Sequence, residues 1–258
     1  MDPVRSRSSN PALRALSSRG IPQAKVGEGA MTVGGTINKT IMLVALVVIA
    51  AAWVWSRYAA ALPAGPSAAA EAISGYLIAG VIGGLVAAIA TVFKPTWARV
   101  TGPLYAVLEG LAVGGISALL NNRYPGIVIE AVGLTFAVMI GMLVLYRTGI
   151  IKVTPKLQRG IMAATLGVFL FYGVSWLLTL FHVDTSMLFA HSRLSIIISL
   201  VIVAIAAFNL VLDFHFIDQG AQTGLPRYME WYLAWGLTVT LVWLYLELLR
   251  LLASSRSS

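Results

Sequence analysis

The residues of this chain best equipped for chemistry are a few acids set among long apolar runs: Glu109, Asp213, Glu130, Glu230 and Glu247. A carboxyl group placed in hydrocarbon is costly unless it is neutral or partnered, so each is a candidate proton or cation site. Glu109 is the deepest, eight residues into its run, or roughly 12 Å along a helix that rises about 1.5 Å per residue. Tyr105 stands one turn earlier, within hydrogen-bonding reach. Two readings stay open for Glu109: a cation or proton site, or a neutral acid bonded inside a bundle. Asp213 closes its run, with Asn209 one turn before it on the same face. Taken alone, it reads as a carboxylate reaching for the interface. Glu130, Glu230 and Glu247 lie near the ends of their runs and read as interfacial acids, Glu247 being spaced to pair with Arg250.

Other chemistries find no residues to carry them. There is no cysteine, so neither disulfides nor thiolate metal sites exist. A membrane zinc hydrolase needs three ligands on one side. Of the three histidines, His182 and His191 fall in one connector and His215 in one on the opposite side. A retinal protein needs a lysine inside an apolar run, and Lys25, Lys39, Lys94, Lys152 and Lys156 all lie outside them. Ser117 and Ser175 have no histidine base at similar depth, and no phosphate-binding loop occurs. No catalytic residue and no resident cofactor is expected, and calcium would be at most a transient guest of carboxylate oxygens.

The elements that must position these acids are the apolar runs themselves. Hydrophobic residues make up 59% of the 258 and charged residues only 11%, against about 25% charged in soluble domains. A bilayer core takes about 20 helical residues. Seven runs qualify: Ile41–Trp55 (or, in a longer reading, on to Leu62), Ile73–Phe93, Thr101–Leu120, Gly126–Tyr146, Gly160–Phe181, Leu194–Asp213 and Tyr232–Leu252. The first is shortest, and its flanking Arg57 has to reach out to the surface. It reads as a span rather than as a cleaved signal segment, because a long basic stretch precedes it. Breakers punctuate the runs: Lys94-Pro95, Asn121 to Gly126, and Thr154-Pro155 as a helix cap followed by proline. Gly80 with Gly84, and Gly110 with Gly114, offer faces for close helix packing. The fold class is therefore all-α and membrane-integral. Residues 1–35 read as a basic tail, residues 36–253 as the seven-helix domain and residues 254–258 as a short end.

The net charge of +8 points to a membrane surface and not to nucleic acid. With the N-terminus inside, thirteen of the 18 Lys and Arg lie on the inner side and five on the outer. The positive-inside rule then gives an inner N-terminus and an outer C-terminus. Lys152, Lys156 and Arg159 form a basic inner connector.

Several segments in order carry a resemblance: Tyr105-Ala-Val-Leu-Glu-Gly-Leu-Ala-Val-Gly-Gly-Ile-Ser117, Tyr124-Pro-Gly-Ile-Val128, Gly141-Met-Leu-Val-Leu-Tyr146, Ile151-Lys-Val-Thr-Pro-Lys156, and Trp243-Leu-Tyr-Leu-Glu-Leu-Leu-Arg250. Together they resemble the bacterial branch of the Bax inhibitor-1 family over about residues 31–253. The resemblance implies a seven-helix bundle with the last helix central, in a bacterial plasma membrane, acting as a pH-sensitive passive calcium or proton leak. It also implies a gate of two aspartates, one in each of the last two helices, since two close carboxylates cannot both ionise cheaply. Asp213, in Leu210-Val-Leu-Asp-Phe214, matches the first of these. The second is missing: register on the Leu-Leu-Arg ending puts Thr240 in its place. Asp213 is thus the expected sensor, Glu109 a candidate second carboxylate and calcium ligand, and Thr240 and Asn209 neutral oxygen ligands. A different class stays open, a non-conducting regulator of a membrane-protein partner such as a protease, using the basic tail and the inner connector.

Overall fold

The computed structural model describes residues 29–181 and 193–256. They form seven helices: α1 Val33–Ala61, α2 Pro66–Phe93, α3 Ala98–Arg123, α4 Ile127–Arg147, α5 Pro155–Leu180, α6 Arg193–Gln222 and α7 Met229–Arg256. Each contains a stretch long and apolar enough to cross a membrane. Among the described residues there is no strand, only an isolated antiparallel bridge between Ala30 and Pro226.

Local chemistry sets the helix ends. The Thr32 hydroxyl caps α1 by accepting from the Gly35 amide at 2.9 Å, and Thr154 caps α5 through Leu157 at 3.2 Å, with Pro155 in the first turn. Between α3 and α4 the chain turns through Gly126 at φ 84°, a conformation that favours glycine. The Gly126 amide donates to the Asn121 carboxamide at 3.0 Å.

The helices outrun their apolar cores. The first run continues past Arg57, whose guanidinium lies over the Trp53 ring at 5.1 Å. The sixth does not stop at Asp213 but reaches Gln222, so Asp213 lies inside α6 and His215 is helical and not in a connector. The apolar spacing simply resumes beyond the charge, with Phe214 and the buried Ile217. The start of α1 falls inside the stretch read as tail. Just before it, Met31 donates to the Leu225 carbonyl at 2.8 Å and Gly29 accepts from the Arg227 amide at 3.0 Å, strapping the entry of α1 to the α6–α7 turn. The tail up to residue 28 and the connector with His182 and His191 lie outside the described residues.

The last helix is central. It packs against α1, α3, α4 and α6, and 56% of its spanning stretch is buried, more than in any other span. On one side α1, α2 and α3 pack on one another; on the other, α4 and α5 both pack on α6. Apolar surfaces gain little by leaving lipid, so close contact must come from shape. The glycine pairs supply it. A Cβ at Gly114 would stand 2.5 Å from the Ala51 carbonyl oxygen of α1, and one at Gly80 would stand 2.6 Å from the Ala112 nitrogen of α3.

Substitution Gly114→Ala should push α1 off α3 and cost about 1–3 kcal/mol, seen as a lower unfolding temperature in lipid nanodiscs. Gly133→Ala, with no atom within 4 Å of the added methyl, should leave that temperature unchanged or slightly higher.

Candidate functional site

Asp213 and Thr240 meet where α6 crosses the central helix. Thr240 of the central helix is the polar neighbour of the Asp213 carboxyl. The Thr240 hydroxyl donates to the Gly236 carbonyl at 3.2 Å. The second carboxyl oxygen, Oδ2, is buried with no hydrogen-bond partner among the described residues. A hydroxyl has one proton to give. If Asp213 is protonated it can donate to Thr240 while Thr240 keeps its bond to Gly236. If Asp213 is ionised, Thr240 must turn its proton to the carboxylate. The pair therefore has two hydrogen-bond arrangements that differ by one proton.

The other sequence-derived candidates face elsewhere. Asn209 sends its amide to the Thr165 hydroxyl of α5 at 2.8 Å and to the Ile205 carbonyl at 2.9 Å. Tyr105 stands one helical turn from Glu109 and is its polar neighbour. The Glu109 carboxyl lies in the groove left by Gly84 of α2, where a Cβ would come within 2.9 Å of Oε2. Because α2 packs on α1 and α3, Glu109 and Asp213 face different helix interfaces. The structure brings Thr240 to Asp213 and does not bring Glu109 to them.

The three acids read as interfacial are helix ties. Glu230, 3% exposed, accepts from the Lys39 ammonium at 2.5 Å, from the Thr32 amide at 2.8 Å and from the Thr32 hydroxyl at 3.1 Å. Gly35 makes room for it, since any Cβ there would overlap the carboxyl. This bond set fastens the start of α7 to the start of α1. Glu247 is buried and does approach Arg250, at 4.0 Å, but its closer partner is the Tyr172 hydroxyl of α5 at 2.5 Å, which also accepts from Arg250 at 2.6 Å. Trp243 adds a 3.3 Å bond to the same carboxyl. Glu130 accepts from Arg256 at 2.6 Å, joining α4 to the end of α7. Two further pairs were not singled out as sites in the sequence: Tyr146 of α4 donates to Asp218 of α6 at 3.0 Å, and the Ser117 and Tyr245 hydroxyls meet at 2.7 Å between α3 and α7. Nothing in local spacing marks partners so far apart in the chain. Lys152, Lys156 and Arg159 are exposed, with the Arg159 Nε bonded to the Pro155 carbonyl at 3.1 Å.

As a cation site, Asp213 and Thr240 offer at most three hard oxygens, two from the carboxylate and one from the hydroxyl. No group of three or more His, Cys, Asp and Glu gathers among the described residues. Calcium takes six to eight oxygen ligands, so an ion passing Asp213 would have to keep most of its water. This suits a site of passage better than one of residence.

A family model described as Bax inhibitor 1 like matches residues 4–257. No curated protein and no solved structure gives a match.

Removing one partner of the α1–α7 tie strands a buried charge. Lys39→Ala should therefore destabilise the protein by about 3 kcal/mol, measured by thermal unfolding in nanodiscs. Combining it with Glu230→Gln should recover most of the loss. A Lys39→Ala protein as stable as the parent would show that the tie contributes nothing.

Proposed function

This chain belongs to the Bax inhibitor 1 like family, and on that premise we propose that it is a pH-responsive passive leak for calcium or protons. The observation that carries the reading is the buried Asp213 carboxyl against the central helix, beside Thr240 and with its Oδ2 lacking a hydrogen-bond partner among the described residues. An acid in that position is a functional residue by default in a membrane protein. Its proton decides which way the Thr240 hydroxyl points, and so whether α6 and α7 hold one hydrogen-bond pattern or the other. An ionised Asp213 leaves a negative oxygen to attract a hydrated cation; a protonated one does not. Thr240 stands in the position of the family's second acid, so the switch works with one carboxyl. Glu109 and Asn209 act in their own interfaces, on α2 and α5.

In this reading the protein has no catalytic role. It lies in a bacterial plasma membrane with the N-terminus inside, the orientation that puts most Lys and Arg on the inner side. The second reading, a non-conducting regulator, draws on the exposed basic connector with Lys152, Lys156 and Arg159.

Calcium entry into liposomes holding the protein and an indicator dye should vary with pH, and Asp213→Asn should flatten that dependence. An Asp213→Asn protein with the parent's pH response would remove Asp213 from the mechanism. Folded parent protein that passes no calcium at any pH would favour the regulator. Deleting residues 1–30 should then abolish partner capture.

A further inference from the structure

A second polar site lies at the end of the bundle where α1 and α7 begin. A cleft of about 520 Å³ is lined by Lys39, Arg99, Arg227, Tyr228 and Trp231, with Gly29 and Pro226 from the strap. Its three cations come from three elements: Lys39 from α1, Arg99 from α3 and Arg227 from the α6–α7 turn. Lys39 is engaged with Glu230 and lies 5.5 Å from the centre of the Trp231 ring. Arg99 and Arg227 are exposed and form no ion pair with a described acid. The cleft therefore carries two guanidinium groups that pair with no acid among the described residues, and their planar donor forks match the oxygens of a phosphate.

We propose that this cleft binds the phosphate of an anionic phospholipid. The phosphate chemistry follows from the guanidinium pair, and the lipid source follows from the surroundings. Residues next to Arg99 present bare apolar surface: Trp97 is 52% exposed and Val100 is 72% exposed, and Phe93 at the end of α2 is 81% exposed. A headgroup held by Arg99 and Arg227 would let its acyl chains run up the outer face of α2 and α3. Indole rings at this level, Trp97 and Trp231, are in keeping with a headgroup boundary. The bound lipid would bridge α3 to the α6–α7 turn.

The test uses the full chain purified in mild detergent, with phosphatidylglycerol, phosphatidylcholine or inorganic phosphate as probes. Native mass spectrometry should show preferential retention of phosphatidylglycerol over phosphatidylcholine. The double variant Arg99→Gln/Arg227→Gln should lose that retention by at least about tenfold. Lys152→Gln/Lys156→Gln, which removes as much charge from another exposed segment, should keep it. Unfolding temperatures in phosphatidylcholine alone should be equal for all three proteins, showing that the changes do not act through folding. Equal retention by the parent and the Arg99/Arg227 variant would overturn the proposal. So would inorganic phosphate raising the parent's unfolding temperature with no preference between the two lipids, which would mark a site for the free ion.

Discussion

A carboxyl group inside a membrane must find a proton, a cation or a hydrogen-bond donor, and in this chain that requirement fixes how the helices meet. Glu230 ties α7 to α1, Glu247 ties α7 to α5, Glu130 ties α4 to the end of α7, Asp218 ties α6 to α4, and Asp213 faces Thr240 across the α6–α7 contact. Glu109 fills the groove that Gly84 leaves in α2. Greasy surfaces gain little from each other in lipid, so these bonds supply the specificity that hydrophobic burial supplies in water. Most of them converge on α7, the helix that the others surround.

The two halves of the bundle solve the packing problem differently. In the first half glycines bring backbones together, at Gly110 and Gly114 against α1 and at Gly80 and Gly84 against α3. In the second half α5 packs on α6 alone among the helices in extensive contact. It is held by polar clips, Asn209 to Thr165 and Tyr172 to Glu247 and Arg250. A helix held by a few directional bonds is easier to shift than one held by interlocked backbones. Asp213 belongs to α6, which packs closely on the central α7 and carries the clipped α5 on its other side.

Much of the fold was legible because membrane helices announce themselves by length and apolar content, and because Thr154-Pro155 and Lys94-Pro95 punctuate them through local backbone chemistry. The reading of span ends was weaker. A charge such as Arg57 or Asp213 looks like a boundary when the sequence is scanned, yet inside a bundle it continues the helix once a neighbour accepts it. The pairing of Tyr105 with Glu109 on one face of α3 was legible for a simple reason: one helical turn separates the two. Lys39 with Glu230, Tyr172 with Glu247 and Tyr146 with Asp218 were not, since such partners are fixed by the stacking order of helices and not by spacing. Sequence depth alone set Glu109 beside Asp213 as a candidate second acid; the groove at Gly84 turns it toward α2 instead.

The central claim is that Asp213 acts with Thr240, and that Glu109 serves a separate interface. Double-mutant cycles on unfolding free energy in nanodiscs test it directly. Asp213→Asn with Thr240→Val should show a coupling of about 1 kcal/mol or more, whereas Asp213→Asn with Glu109→Gln should be additive within about 0.5 kcal/mol. Strong coupling between Asp213 and Glu109, with none between Asp213 and Thr240, would contradict the account.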